Sequence, residues 1–333
     1  MDQIMAGTAA NSHIAAFVMG LRSKGETSDE ISGMVTAILD NAIRVDLHGP
    51  AVDIVGTGGD GSHSVNISTM AAFVIAGCGI PVLKHGNRAI SSRSGTADVL
   101  ESLGINLSMP ASVVASCLAD AGMAFCFAPA HHPGFRHAGE VRKELGIPTV
   151  FNVLGPLCNP GQPPAALIGC ADLRLAPVLA QVQSERGFAA AIVRSDEGLD
   201  EITTAGTTQV WDVTTSKVRH EVLTFAGTNI VAASRDDLLG GDASQNAQVV
   251  RDVLGANTEG RLKAIRDVVA VNAAAALVVF DATQSTQLYG ATNTTFSARL
   301  MQALPRAYRA IDDGSAMKVL ASLISVSSDL ANP

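Results

Sequence analysis

The run AVDIVGTGGDGSHSVNIST, residues 51–69, contains the change of pattern from which the architecture follows. A short apolar segment, 51–55, leads into a glycine-rich loop, and a hydroxyl-rich segment then opens a helix predicted near 69–76. This strand–loop–helix order is typical of parallel sheets in α/β proteins, where ligands bind beyond the carboxyl ends of the strands. We therefore expect the loop that starts at Gly56 to belong to a ligand site.

The same alternation continues along the chain. Further strands are predicted at 80–83, 123–127, 165–169 and 189–193. Further helices are predicted at 96–103, 110–121, 173–186, 244–254 and 261–280. Residues 207–223 are rich in Thr and Val with a turn at Thr215-Ser216, which predicts an antiparallel hairpin. A less regular polar tract follows at 281–297.

The first 45 residues contain helical patterns only. Asn11 is a predicted N-cap, followed by apolar residues at helical spacing up to Gly25. Thr27 and Glu30 then have the spacing of a capping box ahead of a second amphipathic run. The sequence therefore predicts a small all-helical domain and a larger α/β domain with a mainly parallel sheet.

Composition limits the possible partners. The chain has 333 residues, 47% of them hydrophobic, and a net charge of −8, which argues against a nucleic-acid or anionic-membrane partner. Its most apolar stretch, 268–280, is shorter than the roughly 20 residues that a bilayer requires. The start, Met1-Asp2-Gln3-Ile4, lacks the pattern of a signal peptide, and the five cysteines form no CxxC pair. We expect a soluble, cytoplasmic protein. Its cysteines are expected to be buried as small apolar residues.

The glycine-rich loop allows several interpretations. Gly56, Gly58 and Gly61 satisfy G-x-G-x-x-G, but the second strand ends in Lys84-His85 and lacks the acidic residue that a dinucleotide site requires. The loop also lacks the Gly-Lys-Ser/Thr ending of a Walker motif. A phosphate or pyrophosphate site at a helix N-terminus and a plain tight turn both remain open.

Three further blocks lie near predicted strand ends. Residues 84–88 and 91–96 offer hydroxyls, amides and cations, as an anion site or a solvated basic loop would. Four carboxylates fall within 196–201, which indicates either Mg²⁺ binding or an acidic surface turn. Residues 130–143 carry histidines and cations. Adjacent histidines without a nearby cysteine favour a pocket wall for a flat anion over zinc.

Together these blocks resemble the anthranilate phosphoribosyltransferases of tryptophan biosynthesis, from the first helix to about Gly206 and more loosely beyond. The matching blocks are 56–60, 66–69, 84–88 with 91–92, 132–142, 155–160 and 200–201. The resemblance implies Mg²⁺-dependent transfer of the 5-phosphoribosyl group from phosphoribosyl diphosphate to the amine of anthranilate, giving N-(5-phosphoribosyl)anthranilate and pyrophosphate. It also implies a small all-helical domain hinged to a larger α/β domain with a mainly parallel sheet, assembled as a homodimer.

The family's site residues transfer onto matching positions. Phosphoribosyl diphosphate is expected to contact Gly56, Gly59, Asp60, Ser64, Asn66, Ile67, Ser68, Thr69, Lys84, His85, Gly86, Asn87, Arg88, Ser91, Ser92 and Thr96. Anthranilate is expected to contact Gly56, His85, Asn87, His132 and Arg142. Ser68, Asp200 and Glu201 would hold magnesium, expected as two ions. No covalent nucleophile is expected, and Lys84, Asn87 and Arg142 would stabilise the transition state.

The resemblance also implies a division of the chain and carries some departures. The helical domain would comprise 1–48 with about 136–160, and the α/β domain 49–135 and 161–333. Family members usually have a further helix before position 1 that contributes to the dimer. Gly134-Phe135 replaces Ala-Met, Ser64 and Arg93 replace Thr and Lys, and 284–297 has the character of an insertion. The alternatives are a pyrimidine nucleoside phosphorylase-like enzyme and a non-catalytic relative that binds nucleic acid.

Overall fold

The computed structural model describes residues 1–88, 93–215, 217–284 and 294–329, and a seven-stranded sheet forms its centre. The strands are β1 (Val52–Gly56), β2 (Val82–Gly86), β3 (Met123–Phe127), β4 (Ala165–Gly169), β5 (Ala189–Ser195), β6 (Thr207–Asp212) and β7 (Arg219–Thr224). Their order is β3-β2-β1-β4-β5-β6-β7. The first five are parallel, and β6 and β7 add an antiparallel hairpin, so the predicted fold class is confirmed.

The chain changes direction across the sheet at β1. Strands β2 and β3 lie on one side of it and β4 and β5 on the other. In open α/β sheets such a switch point leaves a crevice beyond the carboxyl ends of the strands. Gly56 of β1 and Gly169 of β4 are paired in register at that edge. The site is therefore expected around these two residues.

The predicted helices are present, with additional ones. They are α1 (Asp2–Met5), α2 (Asn11–Lys24), α3 (Ser28–Asp40), α4 (Ile67–Gly77), α5 (Thr96–Leu103), α6 (Ala111–Ala121), α7 (Ala128–His131), α8 (Gly139–Leu145), α9 (Phe151–Leu154), α10 (Ala176–Glu185), α11 (Arg235–Leu238), α12 (Ala243–Leu254), α13 (Leu262–Gln284), α14 (Phe296–Asp312) and α15 (Ser315–Asp329). Within the described residues, 3-10 helices occupy Pro133–Ala138 and Gly155–Leu157. None of the described helices is long and apolar enough to span a membrane.

Some boundaries differ from the predictions. Strand β2 begins two residues late because Pro81, which has no N–H to donate, precedes it, and it ends three residues late with Lys84 and His85 inside the strand. Asn11 is the first helical residue rather than the cap, and its side chain donates to Glu140. The capping box of Thr27 is present as predicted.

Both ends of the polar tract predicted at 281–297 belong to helices. Its first residues, through Gln284, complete α13, and Thr295 caps α14 by accepting a hydrogen bond from the backbone N–H of Ala298. Residues 285–293, which form most of the proposed insertion, lie outside the described part of the chain.

The two faces of the sheet pack against different hydrophobic cores. Alternate residues of β1 and β4, such as Ile54 and Leu167, pack with α4 and α13 in the larger core. Their neighbours Val55 and Ile168 face a second core, which includes α10 and the N-terminal helices. The five cysteines are free, and all but Cys78 are buried, as predicted for small apolar side chains.

After β3 the chain leaves the sheet and packs on the N-terminal helices before it returns at β4. Helix α8 contacts α2, α9 contacts α3, and the 3-10 helix Pro133–Ala138 contacts α1. Asn11 donates to Glu140 at 2.9 Å, and Arg22 donates to the carbonyl of Pro148 at 2.7 Å. We call residues 133–157 the excursion. Its grouping with 1–48 as one domain stays a prediction.

Candidate active site

Two glycines create the space for an acidic segment at the sheet edge. A Cβ atom on Gly169 would lie 1.6 Å from the backbone oxygen of Asp200, and one on Gly56 would lie 2.2 Å from its Oδ2. The N–H of Gly58 donates to the same Oδ2 at 2.7 Å. Sequence reasoning included Gly56 but missed Gly169. The available signal was an isolated glycine that ends an apolar strand.

Asp200 and Glu201, hereafter the acidic pair, lie against the first loop and the start of α4. Glu201 Oε1 accepts a hydrogen bond from the backbone N–H of Ser68 at 3.1 Å. Burial, and then the charge of Asp60, raises the pKa of Asp200 to about 6. Burial, and then the charge of Asp200, raises the pKa of Glu201 to about 8. Both carboxylates therefore lack sufficient positive charge around them.

The acidic pair fits a divalent cation that also binds other oxygens. No three His, Cys, Asp or Glu residues within the described ranges converge as a complete metal cage. Magnesium is commonly held by one or two carboxylates together with substrate oxygens. A bound cation would favour the charged forms of both carboxylates, whose pKa values are raised first by burial and then by a neighbouring carboxylate. Asp196, from the same predicted acidic cluster, is exposed and instead accepts hydrogen bonds from Thr207 and Gln209.

Lys84 provides a buried cation beside the acidic pair. Its side chain is 1% exposed, and Nζ donates to the carbonyl of Ile54 and, at 3.3 Å, to the hydroxyl of Ser68. Burial lowers the pKa of Lys84, while the charges of Asp53 and the acidic pair raise it. Ser68 thus connects the cation with Glu201 at the N-terminus of α4.

The glycine-rich loop is built from residues in left-handed backbone conformations. Gly58, Gly59 and Gly61 have φ of +66°, +78° and +66°, conformations that side chains disfavour. Asp60 closes a local turn by accepting a hydrogen bond from the backbone N–H of Ser62 at 3.0 Å. The loop is therefore an ordered structure that exposes backbone groups.

The residues around the start of α4 have different environments. Asn66 accepts a hydrogen bond from Asn246 at 2.9 Å. Thr69 donates to the hydroxyl of Thr96 at 3.3 Å, which links the first turns of α4 and α5. Ser64 lies close to Ser62, with 3.2 Å between their hydroxyls. Ile67 is buried in the larger core, so only its backbone remains for a ligand.

The second loop is only partly described. Asn87 Oδ1 accepts the N–H of Arg88 at 2.7 Å. The guanidinium of Arg88 binds Asp98 and Glu101 of α5, so its charge is directed toward α5 rather than toward the acidic pair. Gly86 lies where a Cβ would meet Phe125 at 3.0 Å. Ser91 and Ser92, which were predicted to bind the diphosphate, lie outside the described residues.

Two buried histidines form a wall beside these loops. His85 Nδ1 lies 3.1 Å from the carbonyl of Gly155, and His132 Nε2 lies 2.8 Å from that of Cys158. The ring centroids of the two histidines are 5.2 Å apart. Burial lowers the pKa of His85 to about 3 and that of His132 to about 4, so both rings are neutral at pH 7. His131 Nδ1 lies 2.9 Å from the carbonyl of Ile43, away from the two histidines of the wall in its hydrogen bonding.

Aromatic rings continue this wall toward Arg142 on α8. Phe135 lies 6.1 Å from His132 and 6.1 Å from Phe151, measured between ring centroids. The guanidinium carbon of Arg142 lies 5.8 Å from the centroid of Phe151. Burial lowers the pKa of Arg142, which indicates a partly desolvated cation. A neutral aromatic wall that ends in a cation suits a flat ligand with one carboxylate.

The sheet edge, the acidic pair and the helical region together define a glycosyltransferase class. The glycosyl transferase family α/β domain matches residues 48–317, and the helical bundle domain of that family matches residues 1–42. Anthranilate phosphoribosyltransferase from Salinispora arenicola is 49% identical over 330 residues, covering 98% of this chain and 90% of the relative.

Two solved structures agree with this comparison. Anthranilate phosphoribosyltransferase from Thermus thermophilus superimposes with a TM-score of 0.88 at 33% identity, covering 98% of this chain and 93% of that one. The Saccharomyces cerevisiae enzyme in complex with phosphoribosyl diphosphate and magnesium has a TM-score of 0.83 at 29% identity, with coverages of 96% and 86%. The chain belongs to the anthranilate phosphoribosyltransferase family.

Proposed function

We propose that this protein transfers the 5-phosphoribosyl group from phosphoribosyl diphosphate to the amine of anthranilate and releases pyrophosphate. The observation that carries the proposal is the junction at Ser68. There, Glu201 accepts from the backbone N–H while the buried Nζ of Lys84 bonds the hydroxyl. A carboxylate, a cation and a helix N-terminus thus meet at one residue, as a metal–diphosphate site requires.

The diphosphate end of the substrate would lie at this junction. Lys84, the start of α4 and the backbone amides of the glycine-rich loop place positive potential where the leaving pyrophosphate gathers charge. Magnesium bound by Ser68 and the acidic pair would supply further charge neutralisation. Asp200 accepts a hydrogen bond from the amide of Gly58, and Glu201 accepts one from the amide of Ser68. Because the two carboxylates are held by different backbone groups, each of them could bind a separate magnesium ion. This arrangement supports two ions.

Anthranilate would lie along the histidine wall. Arg142 and Asn87 would bind its carboxylate and direct its amine toward C1 of the ribose. An aromatic amine is neutral at pH 7, so the site needs no strong general base. Orientation of two bound reactants can contribute roughly 7–11 kcal/mol to catalysis. Lys84, Asn87 and Arg142 would then stabilise the transition state without a covalent intermediate.

The larger assembly is part of the proposal. Residues 1–48 and about 136–160 would form a helical domain that moves against the α/β domain and excludes water from the activated ribose. Two chains would associate through that helical domain in the cytoplasm. Sedimentation velocity at micromolar concentration tests the dimer, and a single species with the mass of one chain would contradict it.

A fluorescence assay tests the reaction. We expect anthranilate fluorescence to fall when the protein is mixed with anthranilate, Mg²⁺ and phosphoribosyl diphosphate, with one pyrophosphate released per anthranilate consumed. Omission of phosphoribosyl diphosphate or chelation of Mg²⁺ should abolish the change. No signal loss beside an active family member would overturn the proposal. Phosphate-dependent cleavage of a pyrimidine nucleoside would favour the phosphorylase alternative, and retention of nucleic acid on a filter would favour the non-catalytic one.

A further inference from the structure

Asn159 joins two strands to the turn that follows the excursion. Its side-chain Nδ2 donates to Asp53 Oδ2 at 2.9 Å and to the carbonyl of Leu83 at 2.8 Å. Its Oδ1 accepts a hydrogen bond from the N–H of Gly161 at 3.0 Å. Asn159 is 5% exposed and Asp53 is 1% exposed. Both donor hydrogens and the acceptor of this amide are therefore used inside the protein.

The carbonyl that binds His132 belongs to Cys158, next to Asn159, and the carbonyl that binds His85 belongs to Gly155, in the 3-10 helix at the end of the excursion. Since a carbonyl only accepts hydrogen bonds, His85 must carry its proton on Nδ1 and His132 must carry its proton on Nε2. The remaining nitrogens, His85 Nε2 and His132 Nδ1, are buried and have no partner among the described residues. Each of them presents a lone pair.

Asp53 connects this anchor to the backbone of His85. Its Oδ1 accepts the N–H of His85 at 3.2 Å, while its Oδ2 accepts from Asn159. The backbone of His85 thus bonds to the same carboxylate as Asn159, and the carbonyl acceptor for its ring, on Gly155, is connected to Asn159 through the hydrogen bond from the N–H of the adjacent Cys158. The orientation of the imidazole depends on both ends of this connection.

We propose that Asn159, held by Asp53, is a positioning residue that sets the tautomers of His85 and His132, so that both rings offer hydrogen-bond acceptors to an amine substrate. The inference rests on the proposed function for the identity of that amine. An aromatic amine has two N–H donors. Two acceptors that bind them leave the nitrogen lone pair to point toward ribose C1.

The variant Asn159→Asp tests the inference because it preserves shape and removes the donors. An unprotonated carboxylate at 159 would face the Asp53 carboxylate and the Leu83 carbonyl, which only accept. The matched control is Asn152→Asp in α9, where the side-chain oxygen accepts from the N–H of Thr149 and a carboxylate can do the same.

The expected result has two parts. Imidazole ¹⁵N chemical shifts of the substrate-free protein should change from one tautomer per ring to a mixture in Asn159→Asp and stay unchanged in Asn152→Asp. The KM for anthranilate should rise about 10-fold, the loss expected for one hydrogen bond, with less than a twofold change in the KM for phosphoribosyl diphosphate. A merely structural role would not alter the tautomers or separate the two KM values.

A compensating pair provides the second test. In Asp53→Asn with Asn159→Asp the amide and carboxylate exchange places, so an N–H donor again lies between residues 53 and 159. We expect this double variant to recover the tautomers and at least part of the KM. Where the single variant does not fold, Asn159→Ala, which has no side-chain donor, is measured in its place.

Several outcomes would overturn the inference. They are unchanged ¹⁵N shifts in Asn159→Asp or in Asn159→Ala, equal increases in both KM values, or the same effects in Asn152→Asp. A protein that does not consume anthranilate but loses its single tautomers in Asn159→Asp would separate the two conclusions. The proposed function would then fail while the positioning of the rings by Asn159 would stand.

Discussion

The substitution Gly169→Ala should move Asp200 without altering any chemical group of the acidic pair. The added Cβ would lie 1.6 Å from the backbone oxygen of Asp200 and 2.5 Å from its carbonyl carbon. Real Cβ contacts essentially never fall under 3.0 Å, so the oxygen must move by about 1.4 Å. Because the obstacle is backbone, a change of rotamer cannot relieve it.

The expected loss of activity follows from that displacement. A misplacement of about 1 Å in a catalytic constellation can cost roughly 100-fold in rate. We therefore expect kcat to fall by about 100-fold or more and the Mg²⁺ concentration for half-maximal activity to rise. Overpacking should also lower the free energy of unfolding by about 1–3 kcal/mol.

Two further variants separate displacement from general damage. Gly33→Ala on α3 places a methyl where no heavy atom lies within 4 Å, so it should keep full activity and gain about 0.5–1 kcal/mol of stability. In Gly56→Ala the added Cβ would lie 2.2 Å from the carboxylate oxygen of Asp200. Because that side chain can rotate away, this variant should be more stable than Gly169→Ala.

The assay combines anthranilate fluorescence over a Mg²⁺ titration with urea unfolding of each variant. A folded Gly169→Ala protein with wild-type kcat and wild-type Mg²⁺ dependence would refute the reasoning. That result would mean that the position of Asp200 at the ends of β1 and β4 is not required for turnover.

The double variant Asp200→Asn with Glu201→Gln should reduce kcat by at least about 100-fold and remove most of the Mg²⁺ dependence, because it deletes the charges expected to bind the cation. Steady-state kinetics over a range of Mg²⁺ concentrations measures both effects. Arg142→Ala should raise the KM for anthranilate about 10-fold or more and leave the KM for phosphoribosyl diphosphate within twofold, since only one substrate carries the carboxylate that this cation would bind. His132 has an ordinary pKa of 6.5 that burial lowers to about 4. Below pH 6.5 the unfolded chain therefore gains a proton that the folded chain gains only near pH 4. The free energy of unfolding of the wild type should fall relative to that of His132→Asn by up to about 1.4 kcal/mol for each pH unit between these values. Urea unfolding at several pH values measures this difference.

Each of these expectations has a contradicting outcome. Unchanged kinetics of the double acidic variant would remove Asp200 and Glu201 from the metal site. Equal increases in both KM values would contradict the role given to Arg142. A stability difference between wild type and His132→Asn that stays constant from pH 7 to pH 5 would show that His132 is not held neutral in the folded state.

The local sequence pattern was sufficient to predict the bounds of several strands of the sheet. Strands β3 and β4 have the predicted bounds because each is an apolar run that follows Gly122 or Pro164. Strand β2 extends past its predicted end because Lys84 and His85, although polar, are buried by partners distant in sequence. Propensity and alternation do not reveal such partners.

The two C-terminal helices were not predicted. Helix α14 contains Pro305, a residue that normally ends a helix, and its N-cap at Thr295 follows a polar tract without periodicity. Its apolar face is buried against α13, and this packing stabilises the helix in spite of the proline. No element was predicted beyond residue 297, although Leu300, Leu304 and Ile311 recur there at helical spacing.

The candidate site, too, was predicted from the sequence only in part. Lys84 and the acidic pair were identified because each comes after a predicted strand, and the carboxyl ends of parallel strands meet at one edge. Gly169 and Asn159 were missed because their importance depends on which atoms approach them from elsewhere in the chain. Arg88 has the charge expected of a diphosphate ligand, but its guanidinium binds α5. Side-chain direction of this kind is not encoded in local spacing.

The excursion has a consequence for synthesis on the ribosome. Asn11 and its partner Glu140 are separated by 129 positions, a length that takes about 6–26 s to translate at roughly 5–20 residues per second. Until then α2 and α3 lack part of the surface on which they pack, and helices of this length are marginal alone. Arg142 lies on the same late segment. The arginine expected to hold anthranilate and the completed helical core therefore form in one step, so a nascent chain that stalls before residue 140 lacks both.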